Sequence, residues 1–103
     1  MKSENIVQIK SYDFALKIIK VYKYLSQEKK EFVLSKQLLR SGTSIGANVE
    51  ESIAGQSKAD FFAKITIAYK ETRETKYWIR LLRDSDYLTT EHSNDLLNDV
   101  ESF

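Results

Sequence analysis

Two pairs of carboxylates are the first residues in this 103-residue chain whose spacing invites chemistry: Glu50 with Glu51, and Glu71 with Glu74. A three-residue spacing puts the second pair on one face of a helix. Carboxylates facing each other across a helix pair supply most of a di-iron site, but such sites also need Glu-x-x-His. Here position 74 is glutamate, and the single histidine, His92, lies far downstream. With no nitrogen ligand near, the carboxylates read as partners of Arg40, Arg73 or Arg80 in structural ion pairs. His92 reads as a solvated residue in the first turn of a short acidic helix. Nothing around it builds the elbow or oxyanion hole that a Ser-His-Asp site requires. The absence of cysteine removes thiol nucleophiles, disulfides and thiolate zinc sites. The sequence predicts no catalytic residue, no metal and no cofactor.

A third candidate is the small-residue run from Ser41 to Asn48. Glycine, serine and threonine amides can form an anion nest. However, the run lacks a Gly-Lys-Ser/Thr ending and follows no strand. Gly42 and Gly46 would each cost about 1 kcal/mol in a helix interior relative to alanine. Close approach of a neighbouring helix offsets such a cost. Ser41, Gly42, Ser44, Gly46, Ala47 and Asn48 are therefore assigned to helix packing.

Basic residues are the fourth. Sixteen Lys+Arg against fifteen Asp+Glu give +1 overall, but the charge is uneven. Residues 1–40 hold nine basic and four acidic side chains, residues 41–83 seven and five, and residues 84–103 none and six. The segment balances of +5, +2 and −6 suggest electrostatic pairing, within a bundle or between subunits. The candidate nucleic-acid contacts are Lys10, Lys17, Lys20 and Lys23 on the outside of the first helix, joined by Lys29, Lys30, Lys36 and Arg40. Tyr12, Tyr22 and Tyr24 interleave them. A pI near 7.9 is low beside the value above 9 of a dedicated nucleic-acid-binding domain.

These residues must be positioned by helices. There is no proline and only three glycines, so a turn-rich β fold is excluded, and 42% apolar residues exclude a disordered chain. Phe14, Ile18, Val21 and Leu25 predict a helix from about Tyr12 to Ser26. Leu34, Leu38, Ser41/Gly42, Ile45, Val49 and Ile53 predict a second from Glu31, ending near Gly55 as C-cap. Ser57 and Asp60 form a capping-box-like start to a third of roughly 25 residues. Its stripe is Phe61, Ile65, Ala68, Thr72, Thr75, Ile79 and Leu82. Asp84–Thr89 is a turn, and Leu96, Leu97, Val100 and Phe103 mark a fourth helix capped by Thr89 or Thr90. Short connections predict one domain, residues 1–103, folded as an all-α antiparallel up-down-up-down four-helix bundle. No run is apolar enough to span a bilayer and Met1–Lys10 has no leader-like segment, so a cytoplasmic location without membrane contact is expected.

On the third helix, Ile67, Glu71, Glu74, Trp78 and Leu81 lie 80–160° from the core stripe at about 100° per residue. A monomeric bundle helix is polar there. The apolar members predict an oligomer interface.

The run Arg40–Glu51, then Ser57 with Asp60-Phe61, then Lys70-Glu71, Glu74, Tyr77-Trp78-Ile79 and Leu81-Leu82, resembles the four-helix-bundle family of 23S rRNA intervening-sequence proteins. The resemblance covers Tyr12 to Leu82. It implies an antiparallel bundle assembled as a ring-like homopentamer. That fold is similar to the accessory variability protein of diversity-generating retroelements, a basic pentamer that binds nucleic acid and a reverse transcriptase. The expected protein is a non-catalytic homo-oligomer, partnered by itself and by structured RNA at a basic surface. The alternative is a protein-interaction scaffold with no nucleic-acid ligand, working through its acidic end and the apolar face of the third helix.

Overall fold

The computed structural model describes residues 2–103, with side chains from Ile6 onward. Four helices follow one another: α1 Lys2–Gln27, α2 Leu34–Ile53, α3 Lys58–Asp84 and α4 Thr90–Glu101. Cross-contacts fix their directions. Gln8 bonds Glu50 while Gly42 lies on Ile18, so α2 runs back along α1. Arg40 meets Glu74 and Gly55 meets Asp60, so α3 reverses again. Lys76 pairs with Glu101, which sets α4 antiparallel to α3. The expected all-α bundle is what forms.

The predicted stripes supply the core. Phe14, Ile18 and Leu25 from α1, Leu38 and Ile45 from α2, Ile79 and Leu82 from α3, and Leu96 and Val100 from α4 form one buried cluster. Each such side chain contributes about 1.5–3 kcal/mol when fully buried. The stripe of α3 is only partly used, because α4 is short. Twelve residues reach about 18 Å, while the 27 residues of α3 reach about 40 Å. Ala68, Thr75, Ile79 and Leu82 are buried, whereas Ile65 and Thr72 are half-buried and Phe61 is exposed.

Three boundaries differ from the periodic reading. α1 begins ten residues before Tyr12. No glycine or proline interrupts residues 2–11, and the buried Ser11 keeps this end against Gly46. The apolar pattern fails there because Ile6 and Ile9 face outward. α2 starts at Leu34 rather than Glu31, because Glu31 is its cap. The Glu31 carboxylate accepts the backbone N–H of Val33, Leu34 and Ser35 at 3.1, 2.9 and 2.7 Å. Finally, Ala54 is the C-cap of α2, and Gly55 is not left-handed. What Gly55 provides is room: a Cβ there would sit 3.2 Å from Asp60 Cβ and from the Ser52 carbonyl oxygen.

The other caps follow the sequence. Ser57 Oγ accepts the Asp60 N–H at 3.1 Å, and Thr89 Oγ1 accepts the His92 N–H at 3.0 Å.

Candidate nucleic-acid and assembly surfaces

The small-residue run is continuous helix, and its inward face is a close helix contact. A Cβ on Gly42 would lie 2.8 Å from Ile18 Cγ1, and one on Gly46 would lie 3.3 Å from the Ser11 carbonyl oxygen. Ser41 is fully buried, and its hydroxyl stands 3.0 Å from Thr75 Oγ1 on α3. The remaining polar groups bond their own helix. Thr43 donates to the Leu39 carbonyl, Ser44 to that of Arg40, and Asn48 to that of Ser44. Ala47 is exposed and lines a shallow cleft with Tyr12, Ala15 and Glu50. No glycine takes a positive φ, so the run offers no nest of amides to an anion.

The carboxylates separate into two places. Gln8 Nε2 donates to Glu50 Oε1 at 2.8 Å near one end of the bundle, and Glu51 is exposed beside it. Glu71 and Glu74 instead converge on Arg40, ten residues and about 15 Å along α2 from Glu50. Arg40 Nη1 lies 3.5 Å from Glu71 Oε1, while Nη2 donates to Glu74 Oε2. The Trp78 indole N–H donates to the same Glu74 oxygen at 2.9 Å. Among the described residues, no group of three or more His, Asp and Glu gathers as a metal site.

The expected interface sector is thus half covered. Glu71 is largely enclosed and Trp78 packs partly on the core, both on the α2 side. Leu81 is half-buried, Glu74 keeps about a third of its surface, and Ile67 is 39% exposed. Larger apolar exposure lies on α1, on a face the sequence reading did not assign to an interface. Ile9, Tyr12 and Leu16 are 60%, 61% and 46% exposed in one outward row. Their spacing of three and four residues carried that signal.

The predicted basic set is divided among three environments. Lys17 Nζ reaches Asp99 at 2.7 Å and Asp95 at 3.4 Å on α4. The Asp99 hydrogen bond, opposed by modest burial, raises the Lys17 ammonium above its ordinary range. Lys10 shares a cleft with Asp13, Lys17 and Asp99. Lys20 and Lys23 are exposed on α1, and Lys36 is exposed on α2. Arg40 is engaged by Glu71 and Glu74. So the acidic end is paired within the chain at Lys17 and Lys76, and two candidate cations already have carboxylate partners.

Below the end of α4 a groove of about 430 Å³ opens between α1, α2 and α3, lined by Val7, Ile65, Ala68, Tyr69, Val100 and Phe103. Its charged members, Lys76 and Glu101, pair with each other at 3.0 Å.

The model of the 23S rRNA-intervening sequence protein family matches residues 3–103. The chain belongs to that family. Among solved structures, it is similar to a crystal structure from Bacteroides thetaiotaomicron, a protein of unknown function from the S23 ribosomal protein family. The two share 51% identity with a TM-score of 0.96, over 99% of this chain and 90% of that one. No curated protein matches the chain. Within this intervening-sequence family the Ser41–Asn48 run acts as a close helix contact in this chain. No helix among the described residues is long and apolar enough to cross a membrane.

Proposed function

We propose that this intervening-sequence family member is a non-catalytic homo-oligomer whose assembly presents basic surface to nucleic acid. The outward row of Ile9, Tyr12 and Leu16 carries the reading, because the bundle leaves these large side chains unused. A ring requires two unlike faces to meet. The second face we assign to the uncovered side of α3 at Ile67, Glu74 and Leu81. The motif resemblance to pentameric ring proteins supports five copies. Repetition around a ring turns a few cations per subunit into a multivalent site. The scaffold alternative rested partly on the acidic end, and the pairing of Asp95, Asp99 and Glu101 with lysines weakens that support.

Light scattering on purified protein tests the assembly. A mass several times the 12.0 kDa chain is expected, falling toward one chain when Ile9 and Leu16 are replaced by lysine. A wild-type mass of one chain, unchanged by concentration, overturns the proposal.

A further inference from the structure

We infer that the outward face of α3 binds a single-stranded polynucleotide. The inference rests on the nucleic-acid reading above and names the surface and the form of ligand. At about 100° per residue, Phe62, Tyr69, Lys70, Arg73, Tyr77 and Arg80 fall within one 100° sector of α3. That sector lies opposite the buried Ala68, Thr75 and Ile79. All six are exposed, with Phe62, Tyr69 and Tyr77 at 61%, 64% and 50%. From Phe62 to Arg80 the row runs about 27 Å at 1.5 Å per residue.

No carboxylate among the described residues pairs directly with the cations of this face, although Asp84 lies near enough to Arg80 to feel its charge. α3 holds four carboxylates: Asp60, Glu71, Glu74 and Asp84. Asp60 lies in the first turn, before the row starts. Glu71 and Glu74 turn toward α2, where Arg40 holds them. Asp84 would close the row, but Arg83 clamps it through two hydrogen bonds of 2.7 and 3.2 Å. Among the described residues no carboxylate forms an ion pair with Lys70, Arg73 or Arg80. On the rival surface, Lys17 and Arg40 each already face two carboxylates, which a polyanion would have to displace.

The aromatic rings choose among polyanions. Exposed tyrosine and phenylalanine between cations make a stacking platform for unpaired bases, with phosphates on the Lys and Arg groups. A duplex keeps its base faces stacked, and the deep groove of duplex RNA does not admit side chains. A membrane surface would be bound by a continuous apolar helix face, whereas the rings of this row alternate with cations and the apolar stripe of α3 is buried at Ala68, Ile79 and Leu82. Base stacking and phosphate pairing are common to RNA and DNA single strands, so the two should bind alike.

Fluorescence anisotropy with a labelled twelve-residue oligouridine (U12) tests this, with dT12 and a twelve-base-pair duplex as comparators. The wild-type protein should bind U12 and dT12 with affinities within a few-fold of each other. The duplex should bind about tenfold or more weakly. Three cations predict a log affinity against log salt slope of about −2 for one strand on one subunit. Arg73→Gln with Arg80→Gln should reduce that slope to about −0.7. Tyr77→Ala should weaken binding about 5- to 150-fold while leaving the slope unchanged, the range for one lost base stack. Lys20→Gln with Lys23→Gln should change little. All five positions are exposed, so circular dichroism should confirm that every variant folds.

Binding that survives the α3 changes but is lost with Lys20 and Lys23 overturns this surface and leaves the nucleic-acid reading standing. Failure of the wild type to bind U12, dT12 or duplex overturns both. Tighter binding of duplex than of U12, or full retention of U12 binding in Tyr77→Ala, overturns the single-stranded form.

Discussion

Replacing Gly42 by alanine isolates the contact between α1 and α2. The new Cβ would sit 2.8 Å from Ile18 Cγ1 and 3.0 Å from Cγ2. Ile18 is completely buried, and both γ carbons branch from its Cβ, so no rotation takes both away. Overpacking of this kind costs about 1–3 kcal/mol. Removing a glycine from a helix interior returns about 1 kcal/mol. The net is a loss of about 0–2 kcal/mol, with roughly 4–8 °C in Tm for each kcal/mol. A double-mutant cycle separates the two contributions. Ile18→Ala alone should cost about 2–5 kcal/mol through the cavity it leaves. In that background the clash is gone, and Gly42→Ala should become stabilising by about 1 kcal/mol. The cycle should therefore give a coupling of about 1–3 kcal/mol, with Gly42→Ala changing sign between backgrounds. Urea unfolding followed by circular dichroism measures all four proteins, at one chain concentration because association stabilises the folded state. An equal, stabilising effect of Gly42→Ala in both backgrounds would refute the close-packing account.

Two further substitutions test the buried polar contacts. Glu31→Ala removes the acceptor of three backbone N–H groups and should cost about 0.5–2 kcal/mol at neutral pH, read by urea unfolding. Burial pushes the Glu31 carboxyl up, but the N–H groups of Leu34, Ser35 and Val33 outweigh it and hold the group below the usual carboxylate range. A lowered folded pKa gives stability that is present above the unfolded pKa and lost as pH falls through the folded one. The gap between wild type and Glu31→Ala should therefore shrink below the ordinary carboxylate range, and a constant gap would contradict the cap. Arg40→Leu leaves the enclosed Glu71 Oε1, which has no hydrogen-bond partner, without its counter-ion as well. It should destabilise by about 1–3 kcal/mol, and Glu71→Gln added to it should recover part of the loss.

The helices that bury a complete stripe were legible as sequence. Phe14, Ile18, Val21 and Leu25 have one spacing and one fate, and Ser57 and Thr89 cap where their types predict. What escaped the pattern was backbone held by non-periodic means. Residues 2–11 are helical although Ile6 and Ile9 face outward, because nothing in the segment breaks a helix that α2 already holds at Ser11. Glu31 looked like the first helical residue because its own backbone is where a carboxylate must sit to cap Leu34. The trace it left was an acidic residue just ahead of an apolar stripe. Gly55 was read for its freedom of φ, but its role lies in the space beside Asp60, and only the packed neighbour reveals it.

Charge was legible as a total and as a division, but not as pairs. Segment sums put +5 in residues 1–40 and −6 in residues 84–103, and the two ends do meet, at Lys17 with Asp95 and Asp99. That meeting changes which cations face solvent without a partner. The segment richest in lysine gives up Lys17 to α4 and Arg40 to α3, and sums along the chain cannot see either exchange. The middle segment sums to only +2, yet Glu71 and Glu74 turn from the outward row of α3 to Arg40, and Asp84, the first acid of the next segment, is held by Arg83. Lys70, Arg73 and Arg80 keep their charge toward solvent. The spacing 70, 73, 77, 80 was already helical in the sequence, and the structure adds the destination of the carboxylates between them. A surface is basic by what its acids are bound to as much as by the lysines it holds.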